Sequence, residues 1–275
     1  MNIRDLIKKE QIIAKKKYGQ NFLLDQNVLN NIVKSADIEN KNVIEIGPGL
    51  GSLTELLVEK AKKVVCYEID EDMIERLNQN FATYDNITIL KNDFLKCNLK
   101  EDIYNYFLNE DVTIVANLPY YITTAILTKI IEEAPQVTKM VVMVQKEVGD
   151  RLCGKPSTKD YNCLSVLVQY YTKAKSLFDV SPKCFYPEPG VTSSVVLLER
   201  VKNPLFLKDE SFFLKFNRII FSMRRKTLYN NIKKNLNIPK EEIEKAFEKN
   251  HLRLDVRAEN LTVEQIVNLS NDLTH

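Results

Sequence analysis

The chain reads as an α/β protein: a mostly parallel sheet with helices on both faces, followed by a small all-helical domain. Three observations carry that reading. Apolar, β-branched runs alternate with helix-period stretches from about residue 42 to 145, and a helical crossover between successive strands is what a parallel sheet requires. The first run, Asn-Val-Ile-Glu-Ile at 42–46, opens directly onto glycines 47, 49 and 51 and then onto a helical pattern. Beyond residue 203 the strand signal stops, and four amphipathic stretches follow.

Size and composition agree with this division. A chain of 275 residues holds one large domain, or a core domain plus a small one. Its 44% hydrophobic and 28% charged content is globular. No apolar run approaches the roughly 18 residues of a membrane span. Residues 1–17 form a basic arm without the apolar segment of a secretory signal. Five cysteines, an odd number with no C-x-x-C pair, fit reduced thiols in a cytoplasmic protein. With only His251 and His275, no metal site is expected. The net charge of +2 is nearly neutral, but Lys15, Lys16 and Lys17 form one basic run. Between Lys208 and Lys234 eight basic residues stand against Asp209 and Glu210. Clusters of this kind mark a phosphate-backbone partner, or a solvated helix face.

Taken in order, the basic arm leads to Tyr-Gly-Gln-Asn-Phe-Leu-Leu-Asp at 18–25, where Gly19 permits a turn. Asn21 is either a loop hydrogen-bonder or a ligand contact. Asp25 can cap a helix carrying Val28, Leu29, Ile32 and Val33. The strand at 42–46 follows, then the glycines, then a helix at 52–61 with Leu53, Leu56, Leu57 and Ala61. The second strand, 64–67, ends in Glu68, 21 residues after Gly47. A carboxylate about 20 residues past the first glycine of a strand–turn–helix unit suits a ribose diol. Asp70 can cap the next helix. A third strand at 87–90 runs into Asp93, which suits the amine edge of an adenine or an ordinary cap. The fourth strand, 112–116, ends in Asn117-Leu118-Pro119-Tyr120, and a helix at 123–133 and a fifth strand at 137–144 follow. A polar loop at 154–162 precedes a buried helix at 163–171. Runs at 174–180 and 192–199 read as strands pairing at the sheet edge. Between them, a loop stiffened by three prolines carries Phe185 and Tyr186. Past Asn203-Pro204, helices are expected over 212–223, 226–236, 240–250 and 262–273. The expected domains are therefore 1–202 and 203–275.

The glycine spacing selects a ligand class. A dinucleotide loop reads G-x-G-x-x-G, with a pyrophosphate on the helix N-terminus. Here the run is Glu45-x-Gly47-x-Gly49-x-Gly51, and an acid beside the turn favours a cation. This motif resembles the cofactor loop of S-adenosyl-L-methionine-dependent methyltransferases. Asn117-Leu118-Pro119-Tyr120 is the second decisive motif. An exocyclic amine on a base is a poor nucleophile because its lone pair is delocalised. Two acceptors on its N–H bonds pull it toward tetrahedral geometry. Asn117 supplies a carboxamide oxygen, and Pro119 stiffens the turn and aims the Leu118 carbonyl inward. Tyr120 offers a face on which an extruded base can stack. Phe185 or Tyr186 closes the other face, with Phe185 taken as the candidate.

Taken together, these residues make the chain similar to the ribosomal RNA adenine N6-dimethyltransferase family, above all its small-subunit branch. The likeness runs nearly end to end. It includes Gly19-Gln20-Asn21-Phe22-Leu23, the glycine loop, Asn117-Leu118-Pro119-Tyr120, Gln145-Lys146-Glu147-Val148, Phe185-x-Pro-x-Pro-x-Val and Arg224-Arg225-Lys226-Thr227-Leu228. The resemblance implies a Rossmann-like methyltransferase fold that uses S-adenosyl-L-methionine. It implies cofactor contacts from Asn21, Leu23, Gly47, Gly49, Glu68, Asp93 and Asn117, with Asn117 and Tyr120 facing the target adenine. Gly149, Ser157 and Asn162 depart from the family's usual alanine and glycines, which bears on substrate detail. The expected activity is N6,N6-dimethylation of two adjacent adenosines near the 3′ end of small-subunit (16S) rRNA. The expected substrate is an immature 30S particle, acted on by a monomer without metal or membrane. RNA contacts are expected from Lys15, Lys16, Lys17, Arg224, Arg225 and Lys226, along one phosphate track. The alternatives are a large-subunit adenine methyltransferase of the macrolide-resistance type, and a non-catalytic RNA-binding assembly or transcription factor on the same fold.

Overall fold

The computed structural model describes residues 14–15, 18–202 and 205–274. Lys16, Lys17, most of the basic arm and the expected boundary at Asn203-Pro204 lie outside the described residues. The strands, in chain order, are β1 (Phe22–Leu23), β2 (Asn42–Ile46), β3 (Lys63–Glu68), β4 (Ile87–Lys91) and β5 (Val112–Asn117). They continue with β6 (Val137–Gln145), β7 (Thr172–Val180), β8 (Phe185–Tyr186) and β9 (Ser193–Arg200). The first helices are α1 (Gln26–Ala36), α2 (Ser52–Val58), α3 (Glu71–Asn80), α4 (Leu99–Phe107), α5 (Thr123–Glu133) and α6 (Lys146–Leu152). Then come α7 (Cys163–Tyr171), α8 (Glu210–Ile220), α9 (Leu228–Asn235), α10 (Lys240–Lys249) and α11 (Val263–Leu273).

Seven strands form one sheet in the order β4-β3-β2-β5-β6-β9-β7. The ladders from β4 across to β6 are parallel, and β9 runs antiparallel to β6. The two late strands expected at the edge are there, with β9 beside β6 and β7 outermost. All five positions of β2 are buried, as a strand covered on both faces should be. After β2 the chain moves to β3 on one side, and it later returns to β5 on the other. That reversal opens a crevice at the carboxyl ends of β2 and β5, the place where open α/β sheets hold ligands. Asp25 caps α1 by accepting from the Asn27 and Val28 amides, and Asp70 caps α3 by accepting from Asp72.

Two compact units divide the chain. One comprises the described residues up to Gly149 together with Ala174–Arg200, and the other comprises Asp150–Lys173 with the described residues from Val201 on. A single boundary near 202 therefore misses the return of 150–173 to the helical unit. The reason lies in α7, which buries Leu164, Ser165, Val166, Leu167, Val168, Tyr170 and Tyr171 and so presents apolar surface on nearly every side. A helix of that kind belongs at the centre of a helical unit. Its Cys163 carbonyl accepts from Asn217 of α8 at 2.8 Å, and Tyr170 lies 4.9 Å from Phe213, centroid to centroid. None of the helices among the described residues is long and apolar enough to cross a membrane.

Candidate active site

The glycine turn sits at the mouth of the crevice. Gly47 follows the last residue of β2, and its N–H donates to the Tyr67 carbonyl at 2.9 Å, tying β2 to the end of β3. Its φ of +67° is one that side-chain-bearing residues rarely adopt, and a Cβ there would meet nothing within 4 Å. Gly51 also has positive φ, but a Cβ there would lie 2.8 Å from the Phe81 ring. One glycine leaves space for a ligand; the other lets the turn pack on the core.

Glu68, at the tip of β3, is 6% exposed. One carboxylate oxygen accepts from the Ile69 and Asp70 amides at 2.8 and 2.9 Å, and the other accepts from Gly49 N–H at 3.1 Å. Burial raises its pKa, and the three amides counter part of that rise. Glu45, in β2, is 2% exposed. One of its oxygens accepts from the Thr54 hydroxyl at 2.7 Å and from the Cys66 thiol at 3.6 Å. Burial pushes this carboxyl up to about 8, against those two hydrogen bonds, with Glu68 adding to the rise. Asp93 follows β4, and one of its oxygens accepts from the Leu95 amide at 3.0 Å.

These residues line one cavity of about 230 Å³ with Asn21, Leu23, Asn117, Leu118, Pro119 and Tyr120. Its acids are Glu45, Glu68 and Asp93, with no lysine, arginine or histidine among the described lining residues. Such a cavity fits a cationic ligand and disfavours a pyrophosphate.

At the far end, Asn117 closes β5. Its side-chain NH₂ donates to the Asn21 carbonyl at 3.0 Å. This contact assigns the amide orientation: the donor end is anchored and the oxygen is left to accept. Leu118 donates its own N–H to Met143 at 3.0 Å, and no described group donates to its carbonyl. The Pro119 carbonyl turns back to accept from the Thr123 hydroxyl at 3.0 Å. The Tyr120 hydroxyl lies 2.6 Å from Ser193 Oγ of β9, and burial holds its pKa above the ordinary value. Two acceptors and an aromatic ring thus stand beside a cavity lined by acids.

A family model described as ribosomal RNA adenine dimethylase matches residues 12–275. The chain belongs to the ribosomal RNA adenine dimethylase family. It is therefore an rRNA adenine methyltransferase. It is 47% identical to ribosomal RNA small subunit methyltransferase A of Bacillus cytotoxicus, over 98% of this chain and 94% of that protein. It is 43% identical to the protein of the same name in Clostridium acetobutylicum, over 99% and 98%. Among solved structures, a dimethyladenosine transferase from Plasmodium falciparum superposes with a TM-score of 0.78 at 27% identity, covering 90% of this chain and 95% of that one. The Rossmann-like methyltransferase fold and its helical C-terminal region follow.

Two of the expected site residues have neighbours of another kind. Phe185 is 1% exposed and belongs to the apolar core, while Tyr186 beside it is 44% exposed. Strand geometry explains this: neighbours on β8 point to opposite faces, and the ladder with β1 sets Phe185 opposite buried Leu23. The accessible ring of that loop is Tyr186. Lys15, expected on a phosphate, is ion-paired with Asp70 and Asp72 at 2.5 and 2.6 Å. Those hydrogen bonds raise its pKa, and Asp70 is almost wholly buried. In the helical unit, Arg224 donates to the Lys159 carbonyl at 2.9 Å and to Glu259 at 3.2 Å, while Arg225 and Lys226 are exposed.

Other residues of this site escaped the sequence reading. Gln20 lines the cavity and donates to Asp70 at 2.8 Å, and Ser193 holds the Tyr120 hydroxyl. Tyr121, 62% exposed, packs its ring against Gly19 at the rim. Gln20 and Tyr121 carried a local signal, as neighbours of Asn21 and Tyr120.

Proposed function

We propose that this family member uses S-adenosyl-L-methionine to convert two adjacent adenosines in the 3′-terminal hairpin of small-subunit (16S) rRNA to N6,N6-dimethyladenosine. The reaction takes place on an immature 30S particle in the cytoplasm, during assembly of the small subunit. The observation that carries the reading is the anchored Asn117 amide, its oxygen left to accept, beside a cavity lined by three acids and by no described lysine, arginine or histidine. The names of the Bacillus and Clostridium relatives support the small subunit as substrate.

When bound, S-adenosyl-L-methionine supplies an electrophilic methyl group on a sulfonium. Glu68 accepts the ribose hydroxyls, and Asp93 accepts the adenine amine. Gly47 and Gly49 give close approach along the glycine turn, and Asn21 and Leu23 cover the site from the N-terminal side. The Asn117 carboxamide oxygen and the Leu118 carbonyl accept the two N–H bonds of the target N6. That contact draws the lone pair out of the ring and points it along the line of transfer. Tyr120 stacks on the extruded base, worth roughly 1–3 kcal/mol, and an aromatic of β8, Phe185 or Tyr186, closes its other face. Alignment supplies at most about 7–11 kcal/mol of the barrier reduction. The methylated amine then sheds its proton to water, so no residue need act as a base. Arg224, Arg225 and Lys226 bind RNA phosphates, and charge reversal at Arg224 and Arg225 should weaken RNA binding and flatten its salt dependence.

The test is methyl transfer from labelled S-adenosyl-L-methionine to immature small and large subunits side by side, with the modified base mapped. Dimethyladenosine near the 3′ end of the small-subunit RNA is expected. Label in the large subunit alone would overturn the substrate, and label in neither would overturn the activity.

A further inference from the structure

Among the three acids of the cavity, Glu45 is held differently from Glu68. Glu68 meets three main-chain N–H groups. Among the described residues, Glu45 meets only the uncharged Thr54 hydroxyl and Cys66 thiol, both on the same oxygen. The groups facing it that titrate are Cys66 and Glu68, both on β3, while α2 presents Thr54. None of these can balance a negative charge on Glu45. Glu45 is nevertheless among the residues that line the cavity. A carboxylate at 2% exposure with no cation beside it among the described residues is costly, so the neutral acid is the resting form. Burial pushing the group up to about 8 agrees with that geometry.

We propose that Glu45 is a proton-linked selector of the charged cofactor over its spent form. It keeps its proton when the cavity is empty or holds the neutral thioether product, and it releases that proton to solvent when the sulfonium form binds. This rests on the cofactor assigned above and deepens it. S-adenosyl-L-methionine carries one more positive charge than S-adenosyl-L-homocysteine. Only the first compensates an ionised Glu45. Transfer of the methyl group removes the positive charge, Glu45 takes up a proton from water, and the product loses that attraction.

The experiment is titration calorimetry of the full chain near neutral pH with each ligand, in buffers of different ionisation enthalpy. The expected result is release of close to one proton per S-adenosyl-L-methionine bound and markedly less for S-adenosyl-L-homocysteine. Affinity for the sulfonium form should rise by up to about tenfold per pH unit below the pKa of Glu45 and level off above it. The sulfonium lowers the α-amino pKa in S-adenosyl-L-methionine alone, so the share of the difference owed to Glu45 is the share lost in Glu45→Gln. That variant should lose close to one proton from the difference in release and flatten the extra slope. Thr54→Val keeps the carboxyl but removes a bond that favours its charged form, so the midpoint of the affinity curve should move to higher pH. Equal proton release for the two ligands overturns the proposal, as does a slope that persists in Glu45→Gln. Failure of the protein to bind either ligand overturns the cofactor assignment as well. Failure to methylate any RNA, with the proton difference intact, overturns the proposed function and leaves the selector standing.

Discussion

The two ends of the cavity are held in place by different means. At the glycine end the wall is main chain: Gly47 N–H is tied to the Tyr67 carbonyl, and Glu68 is fastened by three amides from its own and the neighbouring turn. At the Asn117 end the wall is made of side chains anchored far along the sequence. Asn117 reaches the Asn21 carbonyl 96 residues away, and Tyr120 reaches Ser193 across 73 residues. Main-chain groups inside a sheet and its turns keep their positions with or without a ligand, whereas a side-chain wall is only as fixed as each of its anchors. Changes at the first end should therefore act on cofactor affinity, and changes at the second on the rate of transfer.

The largest effect expected is that of Asn117→Ala. Losing one preorganised polar group at a reaction centre lowers turnover by about 10²–10³-fold. Binding of S-adenosyl-L-methionine should weaken by less than about tenfold, the scale of one ordinary hydrogen bond. Single-turnover rates and equilibrium binding measured on the same variant would separate the two. If affinity collapses along with the rate, the ends are not independent.

Glu68→Gln probes the opposite end. The substituted amide turns an NH₂ group toward backbone N–H donors, so part of the carboxylate's cradle is lost. Cofactor affinity should fall about 10–100-fold, matching a charged hydrogen bond of about 1.5–3 kcal/mol, while the rate at saturating cofactor is largely kept. A variant that binds normally but turns over slowly would reverse the assignment.

A finer division lies within the glycine turn. Alanine at Gly47 or Gly51 meets the same backbone penalty, about 1–2 kcal/mol for the left-handed conformation. At Gly51 the new methyl would also strike Phe81 at 2.8 Å, adding about 1–3 kcal/mol of overpacking. At Gly47 it would project into open space in the cavity lining. Gly51→Ala should therefore show the larger fall in melting temperature, and Gly47→Ala the larger loss of affinity for its stability change. Equal melting temperatures would mean that Phe81 simply moves aside.

The same contrast governs what was legible beforehand. Main-chain features write themselves locally: the run into Gly47, Gly49 and Gly51, the acid at the tip of β3 and the alternation from β2 to β6 are all short-range patterns. The mostly parallel sheet follows from them, and the C-terminal helices from their own amphipathic stretches. Side-chain anchors do not. Nothing near Asn117 points to Asn21, and nothing near Lys15 in a row of three lysines points to Asp70, its ion-pair partner 55 residues on. The ladder of β1 with β8 is too short for any periodicity to announce it. Phe185 and Tyr186 are equally aromatic, and only the pairing of β8 decides which one is buried. The apolar positions of α7 show that it is buried, but not that its partner is α8. The α4 helix had a signal that was passed over, with Leu99, Ile103 and Phe107 on one face behind the Asn98 cap.

The smallest expected effect is at Ser193, and it tests the side-chain end most directly. Ser193 is fully buried, and its hydroxyl lies 2.6 Å from that of Tyr120. Removing it leaves a largely buried phenol without that partner, at a cost of about 1 kcal/mol. If the bond serves to hold the ring for stacking, Ser193→Ala and Tyr120→Phe should each slow transfer severalfold, and the double variant should slow it no further. Burial keeps the Tyr120 phenol protonated, so neither variant should shift the pH profile. Cofactor affinity should stay unchanged in both, because the glycine end is untouched. Additive losses would mean that Ser193 supports the site through β9 rather than through Tyr120. A loss of affinity would show that the two ends communicate through the sheet.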